Sequence, residues 1–168
     1  FVKIRDGLEG FISLTHLSCY NNLLTNLNLS QNRALTNLTC PSNKLTSLDL
    51  SQNIALLTLM CYDNELAKLD ISQNTALTNL NCVNNKLAKL DITKNKVLEG
   101  LVCSHNKLTS LDVTQNTDLT SLNCVNNEVA YLDVTENTAL VSLECNDNKL
   151  TSLDVSQNTA LASLNYNS

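Results

Sequence analysis

Seven cysteines, Cys19, Cys40, Cys61, Cys82, Cys103, Cys124 and Cys145, stand 21 residues apart, and six aspartates, Asp49, Asp70, Asp91, Asp112, Asp133 and Asp154, repeat on the same interval. Thiols offer disulfide, metal or nucleophilic chemistry. Metal sites gather ligands in pairs such as C-x2-C, and no two cysteines here are closer than 21 residues. Neighbouring parallel strands lie about 4.7–4.9 Å apart, within disulfide reach, but side chains in register point the same way rather than at each other. The cysteines therefore read as an inward column of small apolar fillers. For the aspartates, calcium demands six to eight oxygens from dense acidic loops that this chain lacks. Glycosidic hydrolysis needs two carboxylates in different environments, whereas a repeated column gives each Asp the same one. The remaining reading is local. Each carboxylate accepts hydrogen bonds from backbone amides or from the hydroxyl column two residues on, Ser51, Ser72, Thr93, Thr114, Thr135 and Ser156. The two histidines, His16 and His105, fall in different columns four repeats apart and build no triad. No glycine-rich phosphate loop exists. No catalytic residue, metal ligand or cofactor is assigned, and the chain reads as a non-enzyme.

The interval that separates these residues organises the whole chain. Seven copies run from Leu14 to Ala160, an eighth stops at Ser168, and a divergent opening covers Phe1 to Ser13. Such a period marks a solenoid in which each copy is one coil stacked on the last. Each coil has two similar halves, L-x-x-L-x-C-x-x-N-x and L-x-x-L-D-[ILV]-[ST]-x-N-x-x. Alternating apolar positions within each half predict one short strand per half, hence two parallel sheets and a weakly curved rod. With only three Gly and one Pro, the turns fall to Asn, as at Asn85 and Asn95, whose amides also satisfy backbone groups left unpaired there. Nothing shows capped helical periodicity, so helices are expected to be few or absent. A single coil buries six apolar side chains, worth about 1.5–3 kcal/mol each, against a backbone entropy of about 1–2 kcal/mol for every residue. One coil cannot fold alone, and stacking must supply the rest. Residues 1–13, with Phe1, Val2, Ile4, Leu8, Phe11 and Ile12, read as an N-terminal cap, and 14–168 as the solenoid.

The 168 residues are 43% hydrophobic and carry a net charge of −5. Dispersed Lys and Arg form no basic stripe, which argues against a nucleic-acid partner. No apolar run approaches the roughly 18 residues that cross a bilayer, so no membrane insertion is expected. The sequence opens on Phe1 with neither Met nor a signal peptide, which reads as a piece of a longer polypeptide.

The half-repeat L-x-x-L-x-[LC]-x-x-N-x-L resembles the leucine-rich repeat. The alternation of a Cys half with an L-D-[ILV] half resembles its nested bacterial subclass, called IRREKO. The match runs from Leu14 to Tyr166. The resemblance implies a right-handed leucine-rich repeat solenoid of 21-residue coils, with short parallel strands on one or both faces. It further implies a non-catalytic recognition or scaffold module on secreted or cell-surface bacterial proteins of internalin-like and adhesin-like type, and no cofactor. An accessory, carbohydrate-associated domain of a larger enzyme is the alternative. A flat threonine array of the ice-binding kind is disfavoured, because Thr75, Thr117, Thr138 and Thr159 share a column in a turn.

Outward columns that stop repeating point to the binding surface. Beside the cysteines the chain places Tyr20, Met60, Tyr62, Val83, Val102 and Val125 among polar neighbours. They predict a discontinuous apolar strip about 24 Å long, flanked by His16 and His105. Such a strip suits a protein or glycan partner, or a second copy of the chain, rather than a small molecule. Valine and tyrosine also favour strand surfaces for their own sake.

Overall fold

The computed structural model describes residues 7–167. Eight three-residue strands form one parallel sheet in chain order: β1 (His16–Ser18), β2 (Asn37–Thr39), β3 (Thr58–Met60), β4 (Asn79–Asn81), β5 (Gly100–Val102), β6 (Ser121–Asn123), β7 (Ser142–Glu144) and β8 (Ser163–Asn165). Every pair is in register at 21 residues, Leu38 opposite Leu59 and Leu80 opposite Leu101. No helix occurs among the described residues. The central Leu of each strand and the Cys that follows point inward, and from β2 to β7 both are buried. They meet the leucines and β-branched residues of the second half, such as Leu87, Leu90 and Ile92, in one continuous core.

The second half forms no strand among the described residues, so one sheet stands where two were expected. Its polar backbone groups are diverted to side chains. In the fourth coil the amide of Thr93 donates to Asp91 Oδ1 at 3.0 Å, and Asn116 of the next coil donates to the carbonyl of Ile92 at 3.0 Å. A backbone whose donors and acceptors are taken by Asp and Asn side chains has little left for a ladder.

Two asparagine columns join the coils instead. Asn85, after the strand, donates to the carbonyls of Cys61, Cys82 and Val83 at 3.1–3.2 Å, and its Oδ1 accepts the amide of Leu66 at 3.0 Å. Asn95, after the Asp segment, donates to the carbonyls of Ile71 and Asn74 at 3.1 and 2.8 Å. Its Oδ1 is buried without a partner, as are those of Asn53, Asn74, Asn116, Asn137 and Asn158. The bend itself belongs to the residue before the first asparagine. Asn21, Ser42, Asp63, Asn84, His105, Asn126 and Asp147 all have φ between 51° and 55°. Asn, Asp and His enter this left-handed region more readily than other non-glycine residues, which is how the chain turns without glycine.

Leu8 packs against the core, and Asn32 donates to the carbonyls of Leu8 and Phe11 at 2.9 and 3.0 Å. Asn53 treats Leu29 and Asn32 in the same way. Residues 8–14 thus trace the second turn of a preceding coil, although Phe11 and Ile12 are exposed. Phe1, Val2 and Ile4 lie outside the described residues.

Candidate interaction surfaces

On the sheet side, Met60 ends β3 and Val102 ends β5, with half-buried side chains on the sheet surface. Tyr62, Val83 and Val125 lie one residue beyond the cysteines, past the strand ends, and are also half-buried. Tyr20 is 56% exposed. The column after Cys, expected to point outward, is unevenly covered: Pro41 and Ser104 are buried, while Tyr62, Val83, Val125 and Asn146 are half-buried. The chain there is already turning toward the positive-φ position, so each coil covers part of its neighbour. The apolar members are continuous over β3 to β6 of the stack, while Tyr20 is set apart by the buried Pro41. Polar side chains stand among them, and Leu57, just before β3, is exposed as well. Asn79 lies across Gly100, where a Cβ would come 2.8 Å from its Oδ1, and Asn123 donates to Glu144 at 2.8 Å. His105 occupies the turn and its Nδ1 lies 2.9 Å from Asn126 Nδ2, whereas His16 stands on β1 beside the Thr15 hydroxyl at 2.9 Å.

All seven cysteines are buried and unpaired. Burial in an apolar column raises their pKa, to about 12 for Cys40, Cys82 and Cys124 and to about 11 for Cys19 and Cys145. A thiol so held is a poor nucleophile and a poor metal ligand at neutral pH. No group of three or more His, Cys, Asp or Glu suited to a metal occurs among the described residues.

On the far side of the core the aspartates act as local acceptors. Asp49, Asp70, Asp91, Asp112, Asp133 and Asp154 each take the amide two residues on at 2.9–3.0 Å. Asp91, Asp112 and Asp133 also accept the threonine hydroxyl at 2.7 Å. The Ser72 amide and then its hydroxyl hold the Asp70 carboxyl below its ordinary range, and they outweigh the repulsion from Asp91 and Asp49 that acts the other way. Two open clefts lie along this row. One is lined by Asn28, Ser47, Asp49, Lys68 and Asp70, the other by Ser110, Asp112, Thr114, Tyr131 and Asp133. Sequence reasoning passed over Tyr131. Its signal was a large residue in a column that otherwise holds Asn26, Ser47, Lys68, Lys89, Ser110 and Ser152.

No family model matches the chain, and no curated protein does. Solved structures do match. The functional domain of InlJ from Listeria monocytogenes, which includes a cysteine ladder, superposes with a TM-score of 0.92 at 46% identity, over 94% of this chain and 36% of that one. A leucine-rich repeat protein of Leptospira interrogans gives 0.87 at 29% identity, over 94% and 44%. An internalin, InlF, of Listeria monocytogenes gives 0.85 at 19% identity, over 93% and 48%, a likeness of fold alone. The chain spans less than half the length of each of these structures.

Proposed function

Since the chain is a leucine-rich repeat solenoid of the internalin type, we propose that it is a non-enzymatic recognition module of a secreted or cell-surface bacterial protein. It binds a protein partner through the sheet side. The observation that supports this reading is that Met60, Tyr62, Val83, Val102 and Val125 put at least one apolar side chain on each of four adjacent coils, among polar neighbours such as Asn79, Asn81 and Asn123. Tyrosine and methionine are the side chains that interfaces favour, and a parallel array at strand spacing suits a protein edge or an extended chain. Glycan binding and self-association through the same strip are the competing outcomes of its test.

The test compares two double substitutions, Met60→Ser with Tyr62→Ser and Asp49→Ser with Asp70→Ser. Both variants are checked by circular dichroism, then assayed for cross-linking to surface proteins identified by mass spectrometry, for glycan-array binding and for sedimentation. Loss of the protein cross-links in the first variant alone is the expected result. Loss in the aspartate variant alone, with both chains folded, moves the functional face to the other side.

A further inference from the structure

Tyr131 is 70% exposed, the highest exposure of any large hydrophobic side chain among the described residues. It borders a groove of about 410 Å3, formed by Thr109 to Thr114 of one coil and Ala130 to Asp133 of the next. Asp133 lines the same groove, its Oδ1 taken by the Thr135 amide and hydroxyl at 3.0 and 2.7 Å. Asp112 commits Oδ1 to the Thr114 amide and hydroxyl at 3.0 and 2.7 Å, and its Oδ2 has no protein partner among the described residues. Two carboxylates therefore flank an open aromatic ring, with no lysine or arginine lining the groove.

The groove three coils earlier, which the preceding coil also lines through Asn26 to Ser30, differs most in charge at one position. Its Asp49 and Asp70 correspond to Asp112 and Asp133, and Ser47 corresponds to Ser110, but Lys68 replaces Tyr131. One groove brings its own ammonium group to the rim. The other holds the acidic pair and replaces the cation with a π-face, a surface that attracts cations and gives an alkyl stem something to lie on.

The geometry points to the Tyr131 groove as a site for a lysine side chain of a protein partner, its stem along the ring and its ammonium between Asp112 and Asp133. A lysine fits better than a sugar or an anion. The groove is open and shallow, its lining carries no hydrogen-bond donor other than the hydroxyls of Thr109, Ser110, Thr114 and Tyr131 and backbone amides, and its charge repels phosphates and carboxylates. The site lies on the opposite side of the core from the sheet strip, so it stands or falls separately.

The experiment is an NMR titration of the intact chain with Nα-acetyl-lysine methylamide, with the norleucine analogue, which keeps the stem and lacks the charge, and with glucosamine. The expected result is saturable shifts centred on Tyr131, Asp112 and Asp133 with the lysine amide only. Tyr131→Phe keeps the affinity, Tyr131→Ser weakens it about fivefold, Tyr131→Lys abolishes it, and Lys68→Tyr creates a second site at Asp49 and Asp70. Equal shifts at Asp49 and Asp70 in the unaltered chain would mean diffuse acidic attraction and overturn the assignment. So would equal response to the norleucine amide, or saturation by glucosamine alone.

Discussion

The two halves of each coil bury the same kind of residues yet are held together differently. Around β4, Leu80 and Cys82 are buried and the main chain bonds directly to the next coil, as in Cys82 N to Val102 O at 2.9 Å. Across the core, Leu90 and Ile92 are as well buried, but after the Lys107 amide donates to the Leu87 carbonyl the hydrogen bonds between coils run through Asn95 and Asn116, and Asp91 keeps its bonds within its own coil. Equal hydrophobic pattern thus leads to a sheet on one side and to side-chain ladders on the other. What decides is which partner reaches the backbone first.

Four measurements sharpen or break that contrast. The largest effect is expected at alkaline pH. Folding holds the thiols raised, to about 12 at Cys40, Cys82 and Cys124 against 9.0 when free, so above pH 9 the unfolded chain releases protons that the folded one keeps. Stability is complete below that pH and is lost as pH climbs toward 12, at up to about 1.4 kcal/mol per pH unit for each thiol. Cooperative unfolding between pH 9 and 11, followed by circular dichroism, is the expected outcome. A flat profile there would mean that the sulfur column is wet.

Next come the two asparagine columns. Asn85→Ala removes three donated bonds and strands the buried amide of Leu66, for a loss of about 3 kcal/mol in urea unfolding. Asn95→Ala removes two donated bonds and an acceptor that had no partner, for a loss of about 1–2 kcal/mol. Equal losses would abolish the distinction between the two turns.

A smaller pair probes the dry column directly. Cys82→Ser places an unpaired hydroxyl among buried thiols and is expected to cost about 1–3 kcal/mol, against about 1 kcal/mol for Cys82→Ala. If serine proves no worse than alanine, the column tolerates polarity.

The smallest effect is acid sensitivity. Asp49, Asp70, Asp91, Asp133 and Asp154 have carboxyls lowered by their hydrogen bonds. Their contribution is present above the free value of 3.8 and fades as pH falls through the folded values. A modest decline in melting midpoint below about pH 4 follows. A midpoint that rose on acidification would show repulsion along the row prevailing over the local bonds.

The period, the inward cysteines and the local role of the aspartates were legible in the sequence because each follows from one residue type on a 21-residue interval. The turn was half legible. Asn85 stood out by its column, but the backbone inversion sits at Asn84, in a column that also admits Ser42, Asp63 and His105 and therefore carries no single-residue signature. Tyr62, Val83 and Val125 stand out in the sequence as breaks in a repeating column. Their half-burial does not, because it arises from the coil above and below rather than from neighbours in sequence.

By itself the sequence determined that 21 residues make one coil, that Leu80, Cys82, Leu90 and Ile92 face one core, and that coils must stack to be stable, since these depend on side-chain spacing and transfer free energy. Tertiary structure alone decided that only the cysteine half pairs as a sheet. The alternation L-x-x-L-D-I is the same in a strand and in an extended segment bound by side chains. Which of them forms depends on Asn116 arriving from the next coil at the carbonyl of Ile92. It also decided that Tyr131 and Lys68 occupy equivalent grooves, because a groove between coils exists only when two repeats lie side by side.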